Sequence, residues 1–403
     1  MNHPQTARKS GLFQAPVLLV GFRPFFTLAI ISGALLPLLW ALVFSGTLHL
    51  PESGISATQW HAHEMLFGFG WAVLGGFLLT ASKNWVGIRG MHGFPLLIAV
   101  VLWCAERVGV FYFPVPSEND STLKLLGSLI APNLFLIWVA GYVVQTLVRY
   151  HKKDTFKKDN YFFIIALPAF LVAKSLLLIP STYAHGFSMS IGLFCVAFAV
   201  MFERTMPQFL KNSANIILPR KGWLDTGIKA SVLLSAFESF MPTPLAVLLP
   251  SIACVLLLVR FTIWSPNVGL RRFDLALMYI GYFGLALHFG CEALLNAGWI
   301  EPFGSLSVHI FTFLCMGVII PGMLIRISHG HTGRKISFVT LDKVGLSCMG
   351  IGAFFRLVMT QVWPAHYFLW IDLSALGWSL CFILVGYRLI PFLWQPRVDG
   401  REH

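Results

Sequence analysis

Apolar runs of roughly 20 residues recur from about residue 25 to 394, with no polar stretch between them long enough to form a domain. About 20 residues at 1.5 Å rise span the ~30 Å hydrocarbon core of a bilayer. The pattern predicts twelve spans: 25–45, 60–81, 93–113, 123–148, 161–180, 183–203, 224–241, 244–264, 273–296, 303–327, 340–362 and 367–394. Length and unbroken apolarity predict helices, since a membrane barrel shows segments of about ten residues with alternating hydrophobicity. The expected fold is all-α: a polytopic membrane helix bundle forming one domain over 1–403, with no soluble catalytic domain.

The basic residues then fall in alternate connections. Arg8, Lys9 and Arg23 precede or open the first span, Lys83 and Arg89 follow the second, and Arg149, Lys152, Lys153, Lys157 and Lys158 follow the fourth. The series continues with Arg204, Lys211, Arg220 and Lys221, then Arg271 and Arg272, then Arg326, Arg334 and Lys335, and closes with Arg397 and Arg401. Intervening connections such as 45–59, 114–122 and 297–302 carry no Lys or Arg and several acids. The positive-inside rule therefore puts both termini in the cytoplasm. Span two descends from the outer, periplasmic side, so Trp60-His61-Ala62-His63-Glu64-Met65 sits at the outer boundary.

Composition agrees. The chain is 57% hydrophobic and only 11% charged, against about a quarter charged in soluble domains. Its net charge of +12 is a topology signal, and nucleic-acid binding is not expected. The seven cysteines (104, 195, 254, 291, 315, 348 and 381) lie inside apolar runs without C-x-x-C spacing, so neither disulfides nor covalent haem attachment is expected. The first run is too long for a signal-peptide core and is expected to be retained.

Ionisable residues inside spans are costly and mark candidate sites. The outer half gathers His61, His63, Glu64, Glu106, Arg107, Lys174, Glu238, His288, Glu292, His309, Arg356 and Asp372. Snorkelling or a simple ion pair accounts equally well for Glu106, Arg107, Glu292 and Asp372. Arg356 lies deeper and calls for a carboxylate, from the protein or from a bound group such as a haem propionate.

His61 and His63, two residues apart, project about 200° apart on a helix. They cannot ligate one metal from a regular helix, so either the helix starts between them or they serve different centres. Span ten also starts outside with a histidine, His309, and both spans bear glycines, which permit close helix approach. From His63 to Arg89 is 26 residues and from His309 to Arg334 is 25. Imidazoles at matching depth on two helices can supply axial haem ligands or copper ligands. His331, about 33 Å further along a straight helix than His309, belongs to the inner face. Glu64 could orient an imidazole, pass protons, or serve only as a helix-start acid.

The ordered motifs resemble the NnrS family. They are Gly21-Phe22-Arg23-Pro24-Phe25-Phe26, Trp60 to Met65, Gly76-Phe77-Leu78-Leu79-Thr80-Ala81 with Asn84-Trp85, Arg204 to Phe209, His309, and Gly330-His331-Thr332-Gly333-Arg334. The resemblance implies a haem- and copper-containing bacterial inner-membrane protein of nitric oxide metabolism, denitrification and nitrosative stress. It implies His61, His63, His309 and His331 as metal ligands for haem b (one or two) and copper, with Arg23 and Arg334 near the cofactor; Arg356, beyond the matched motifs, joins the cofactor-binding candidates on its depth alone. Trp60, Glu64, Asn84, Trp85 and Arg204 would support them, while His185, His288 and His329 fall outside the matched motifs.

Three functions compete. The first is a haem protein that binds nitric oxide or a related nitrogen species, or turns it over as a haem-dependent oxidoreductase with an unidentified electron donor. Nitric oxide is small and neutral and reaches a buried site through lipid. The second is a secondary transporter of copper, haem or an anion, against which there are no dense M-x-x-M runs. The third, a haem–copper oxidase relative, is disfavoured because the chain has no adjacent His-His pair.

Overall fold

A computed structural model of the chain describes residues 14–51, 54–112 and 121–401. Arg8 and Lys9, Glu52 in the first connection and most of the acid-bearing connection 114–122 lie outside the described residues. Among the described residues there are helices and no strands. The main helices are α1 (Phe22–Phe44), α2 (Ala57–Val86), α3 (Gly93–Gly109), α4 (Thr122–Arg149), α5 (Lys157–Leu178) and α6 (Pro180–Ala214). They continue with α7 (Gly222–Ser235), α8 (Thr243–Ile263), α9 (Phe273–Asn296), α10 (Leu306–His331), α11 (Thr340–Val362) and α12 (Tyr367–Trp394).

Each of these helices falls on a predicted span, but among the described residues ten rather than twelve are long and apolar enough to cross a membrane. The two others, α3 with 17 residues and α7 with 14, reach about 26 and 21 Å at 1.5 Å per residue. Spacing overestimated α7 because the apolar run continues into a 3-10 turn, Glu238–Phe240, ahead of Pro242.

The bundle is built to face lipid. α8 turns Leu245, Leu248, Ile252, Val255 and Leu258 outward, a surface that in water would drive association and in a bilayer is solvated. α2, α6 and α10 are the most buried of the long helices and form the centre. α12 packs between α1 and α11, α8 pairs with α9, and α5 with α6.

Three helices depart from α geometry at one end of the bundle. Glu64–Gly70 in α2, Ile310–Gly317 in α10 and Phe355–Met359 in α11 are π-helical. Such turns are rare and concentrate at functional sites.

Candidate functional site

α2 begins with a capping box: the Ser56 hydroxyl accepts from the Gln59 amide at 3.2 Å, and the Gln59 side chain accepts from the Ser56 amide at 2.9 Å. This fixes the helix start at Ala57, ahead of both histidines. His61 and His63 therefore sit on regular helical backbone and point to different sides.

His61 faces a cavity of about 290 Å³ between α1, α2, α6, α10, α11 and α12. Its ring stacks on Trp40, with centroids 4.1 Å apart and planes 18° from parallel. His309 lines the same cavity. Its Nδ1 lies 2.7 Å from the carbonyl of Ser305, and a carbonyl only accepts, so Nδ1 carries the proton and Nε2 keeps its lone pair. Arg356 lines the cavity too, 8% exposed, with its guanidinium donating to the Tyr367 hydroxyl at 3.2 Å. Among the described residues no carboxylate pairs with it, and Tyr183 and Tyr367 are the other ionisable side chains that line the cavity with the two histidines. Met65, Phe187, Phe313 and Trp378 complete much of the wall. The π segments lie close to these groups: Glu64–Gly70 begins three residues after His61, directly behind His63, Ile310–Gly317 directly follows His309, and Phe355–Met359 contains Arg356.

His63 is fully buried in a different setting. Its Nδ1 donates to Glu64 Oε1 at 2.9 Å, and its Nε2 lies 3.3 Å from Glu106 Oε1, in ion-pair range though without hydrogen-bond geometry. Lys174 Nζ is 2.6 Å from the same Glu106 oxygen, and Arg107 donates to Glu64 Oε2 at 2.9 Å and to Glu106. Two carboxylates, a lysine and an arginine thus enclose the imidazole. Arg107 reaches Glu64 by passing over Gly68, where a Cβ would lie 2.4 Å from its Nη1. The Gly68 carbonyl, inside the π segment, accepts from the Trp103 indole at 3.1 Å. Trp60 packs beside Phe111, centroids 6.5 Å apart.

The remaining expected residues lie at the opposite end of the bundle. Arg23, fully buried, donates to the carbonyls of Leu393 and Gln395 at 3.0 and 2.6 Å, and Arg334 donates to the Gln395 side chain at 3.0 Å. His331 packs its ring on Phe22, among Lys83, Arg397 and Arg23. Arg334, outside the spans, has its pKa lowered by partial burial. Trp85 and Arg204 meet each other, the guanidinium 4.7 Å above the indole, and Arg204 also donates to Asn160 at 2.7 Å. Asn84 is exposed on the same turn. The structure thus gathers His61, His309 and Arg356 at one site. It places His63 and Glu64 in a neighbouring ion cluster and keeps His331, Arg23 and Arg334 apart from both.

Sequence reasoning missed Trp40, Tyr367 and Ser305, the partners that orient the cavity groups. It also missed a second buried network in which Glu203 pairs with Lys229 at 2.9 Å and Arg220 at 2.7 Å, while Arg260 donates to Asp225 at 3.2 Å and Tyr282 at 2.8 Å. The signal for that network was present: Asp225, Lys229 and Arg260 all fall inside predicted spans. Among the described residues no three His, Cys, Asp or Glu side chains gather as a ready metal site.

A search among curated proteins finds no match. A family profile described as NnrS protein matches residues 16–397, which covers the cavity, the ion cluster and the opposite end alike. On that match the chain belongs to the NnrS family.

Proposed function

We propose that this chain binds haem b in the cavity at its histidine end, held by His61 and His309, and acts there on nitric oxide or a related nitrogen species. Family membership ties the chain to nitric oxide. The observation that carries the haem assignment is the shared cavity: imidazoles from two helices, one with its tautomer set by a carbonyl, face the same space as a buried arginine lacking a carboxylate.

The donor set fits haem. Two histidines suffice as axial ligands, and a guanidinium matches a propionate. A cavity of about 290 Å³ is at the small end for ligand sites, so the aromatic walls must part further to admit the macrocycle. Bound haem would supply a redox-active iron able to take a nitrogen oxide ligand. The chain's own residues hold and orient it: Trp40 sets the His61 ring plane, Ser305 sets the His309 tautomer, and Arg356 with Tyr367 balances carboxylate charge. Aromatic walls restrict water.

Copper is the second cofactor of this reading. Met65 lines the same cavity and a thioether suits Cu(I), but a haem needs fewer protein ligands than a copper site built from side chains alone. His63 takes an ion-pairing role, and His331 is kept as a candidate ligand of a second centre beside Arg23 and Arg334. The reading also takes all twelve helices as crossing a bacterial inner membrane with both termini cytoplasmic, which cysteine labelling from each side of the membrane would check.

The deciding experiment is purification from haem-replete cells followed by pyridine-haemochrome and metal analysis. About one haem per chain, with its spectrum altered by His309→Ala and by His61→Ala, is expected. A folded, haem-free preparation would sink the proposal.

A further inference from the structure

One turn beyond the histidine cavity lies a second space, of about 50 Å³. The three central helices each line both spaces with residues a turn apart: Leu66 then Gly70 on α2, Ile191 then Phe194 on α6, and Phe313 then Met316 on α10. The spaces are therefore stacked along the same helices, their nearest lining residues about 5 Å apart along the axes and their middles roughly 16 Å apart.

Their linings are opposite in character. The upper cavity carries histidines, an arginine and hydroxyls, whereas every side chain around the lower one is apolar. A water molecule needs two to four polar partners, which this chamber does not offer, and an ion is excluded more strongly still. Small apolar cavities stay dry and accept neutral guests such as xenon. Three thioethers, Met201, Met316 and Met323, line the space, and methionine is the most adaptable of apolar walls. Gly70 keeps the chamber's edge tight, since a Cβ there would lie 2.8 Å from the Phe194 ring.

We propose that this chamber is a docking site for one small neutral gas molecule, nitric oxide in this family, held directly below the histidine cavity along the same three helices. It deepens the haem reading by naming where the gas waits, and it stands or falls separately from it. Two other occupants are an acyl tail from the bilayer and nothing at all, the latter making the chamber a packing void of the kind close-packed interiors contain in small number.

Two measurements on the cofactor-free full chain in nanodiscs decide between them. Xenon-129 NMR is expected to show one saturable site that Ala197→Phe, which fills the chamber from α6, abolishes. Dissolved nitric oxide, a radical, is expected to broaden the methyl signals of Ile319 and Met316 before those of lipid-facing Leu248 and Ile252. No xenon site, or equal broadening everywhere, overturns the proposal, as does preferential broadening of the chamber methyls by lipids spin-labelled in their tails. In haem-loaded, reduced chain, Ala197→Phe should slow nitric oxide association about tenfold, equivalent to ~1.4 kcal/mol of barrier. The haem spectrum and imidazole binding should stay unchanged. An unchanged nitric oxide rate leaves only a void and also overturns the proposal. Should Ala197→Phe fail to fold, Leu74→Ala enlarges the same chamber and must raise xenon uptake. If haem is absent altogether, the haem reading fails while the xenon and broadening results still judge the chamber.

Discussion

His61 and His63 are the same residue type on the same helix turn, and their surroundings give them opposite chemistry. His61 meets an indole face, hydroxyls and a guanidinium, and among the described residues none of them hydrogen-bonds to its ring nitrogens. His63 meets two carboxylates, a lysine and an arginine, with Nδ1 hydrogen-bonded to Glu64 and Nε2 facing Glu106. The cavity leaves open space beside His61, whereas the cluster sets opposite charges against one another around His63. A histidine near a membrane boundary thus faces a cavity or a set of paired charges according to its neighbours, a distinction that spacing alone does not carry.

The largest expected effect breaks the cluster. Glu106→Ala leaves buried Lys174 and Arg107 without their shared carboxylate and should cost about 3–5 kcal/mol, read by reversible unfolding in mixed micelles. Wild-type stability in that variant would mean that the cluster does not set its charges against one another in the way described. His309→Ala attacks the other region and should lower haem affinity at least ten- to hundredfold, the cost typical of losing a supporting contact, with little change in unfolding of the haem-free chain. A comparable haem loss in a folded His63→Gln variant would erase the contrast. Gly68→Ala should cost about 1–3 kcal/mol, because its methyl displaces Arg107 from Glu64; its haem content should hold. The smallest effect lies outside both regions. The Arg397 guanidinium holds the exposed Asp399 carboxyl at about 2, below its ordinary 3.8. That contact contributes above about pH 4 and is lost as pH falls toward 2, and a carbon-13 titration of Asp399 should show it.

Helix positions were legible because membrane crossing demands long apolar runs, and all twelve main helices fall on predicted spans. Ends were less legible: the run through 224–241 hides the stop at Ser235, since Ala236 and Phe237 ahead of the 3-10 turn and Phe240 and Met241 around its end keep the stretch largely apolar. At the site, the spacing of His61 and His63 implied divergence once the helix start was known, and Ser56 with Gln59 three residues on carried that start in the sequence. What the spacing left open was which histidine faces His309. That choice depends on Trp40 from α1 and on Glu106 and Lys174 from α3 and α5, contacts spanning tens of residues that no local pattern encodes. The π segments were invisible for a related reason: a widened turn changes hydrophobic phase by one residue, within the noise of a wholly apolar helix.

Those widened turns also affect how the protein can vary. A π segment is equivalent to one residue inserted into a helix, and removing a residue from Glu64–Gly70 would turn everything before it by about 100° relative to everything after. His61 would leave its cavity and His63 its carboxylates in a single event, although no contact residue had been replaced. Substitutions on the lower parts of α2 and α10 leave that angular setting untouched. The two ends of each helix can therefore diversify independently, with single-residue deletions in these three short segments as the changes least tolerated.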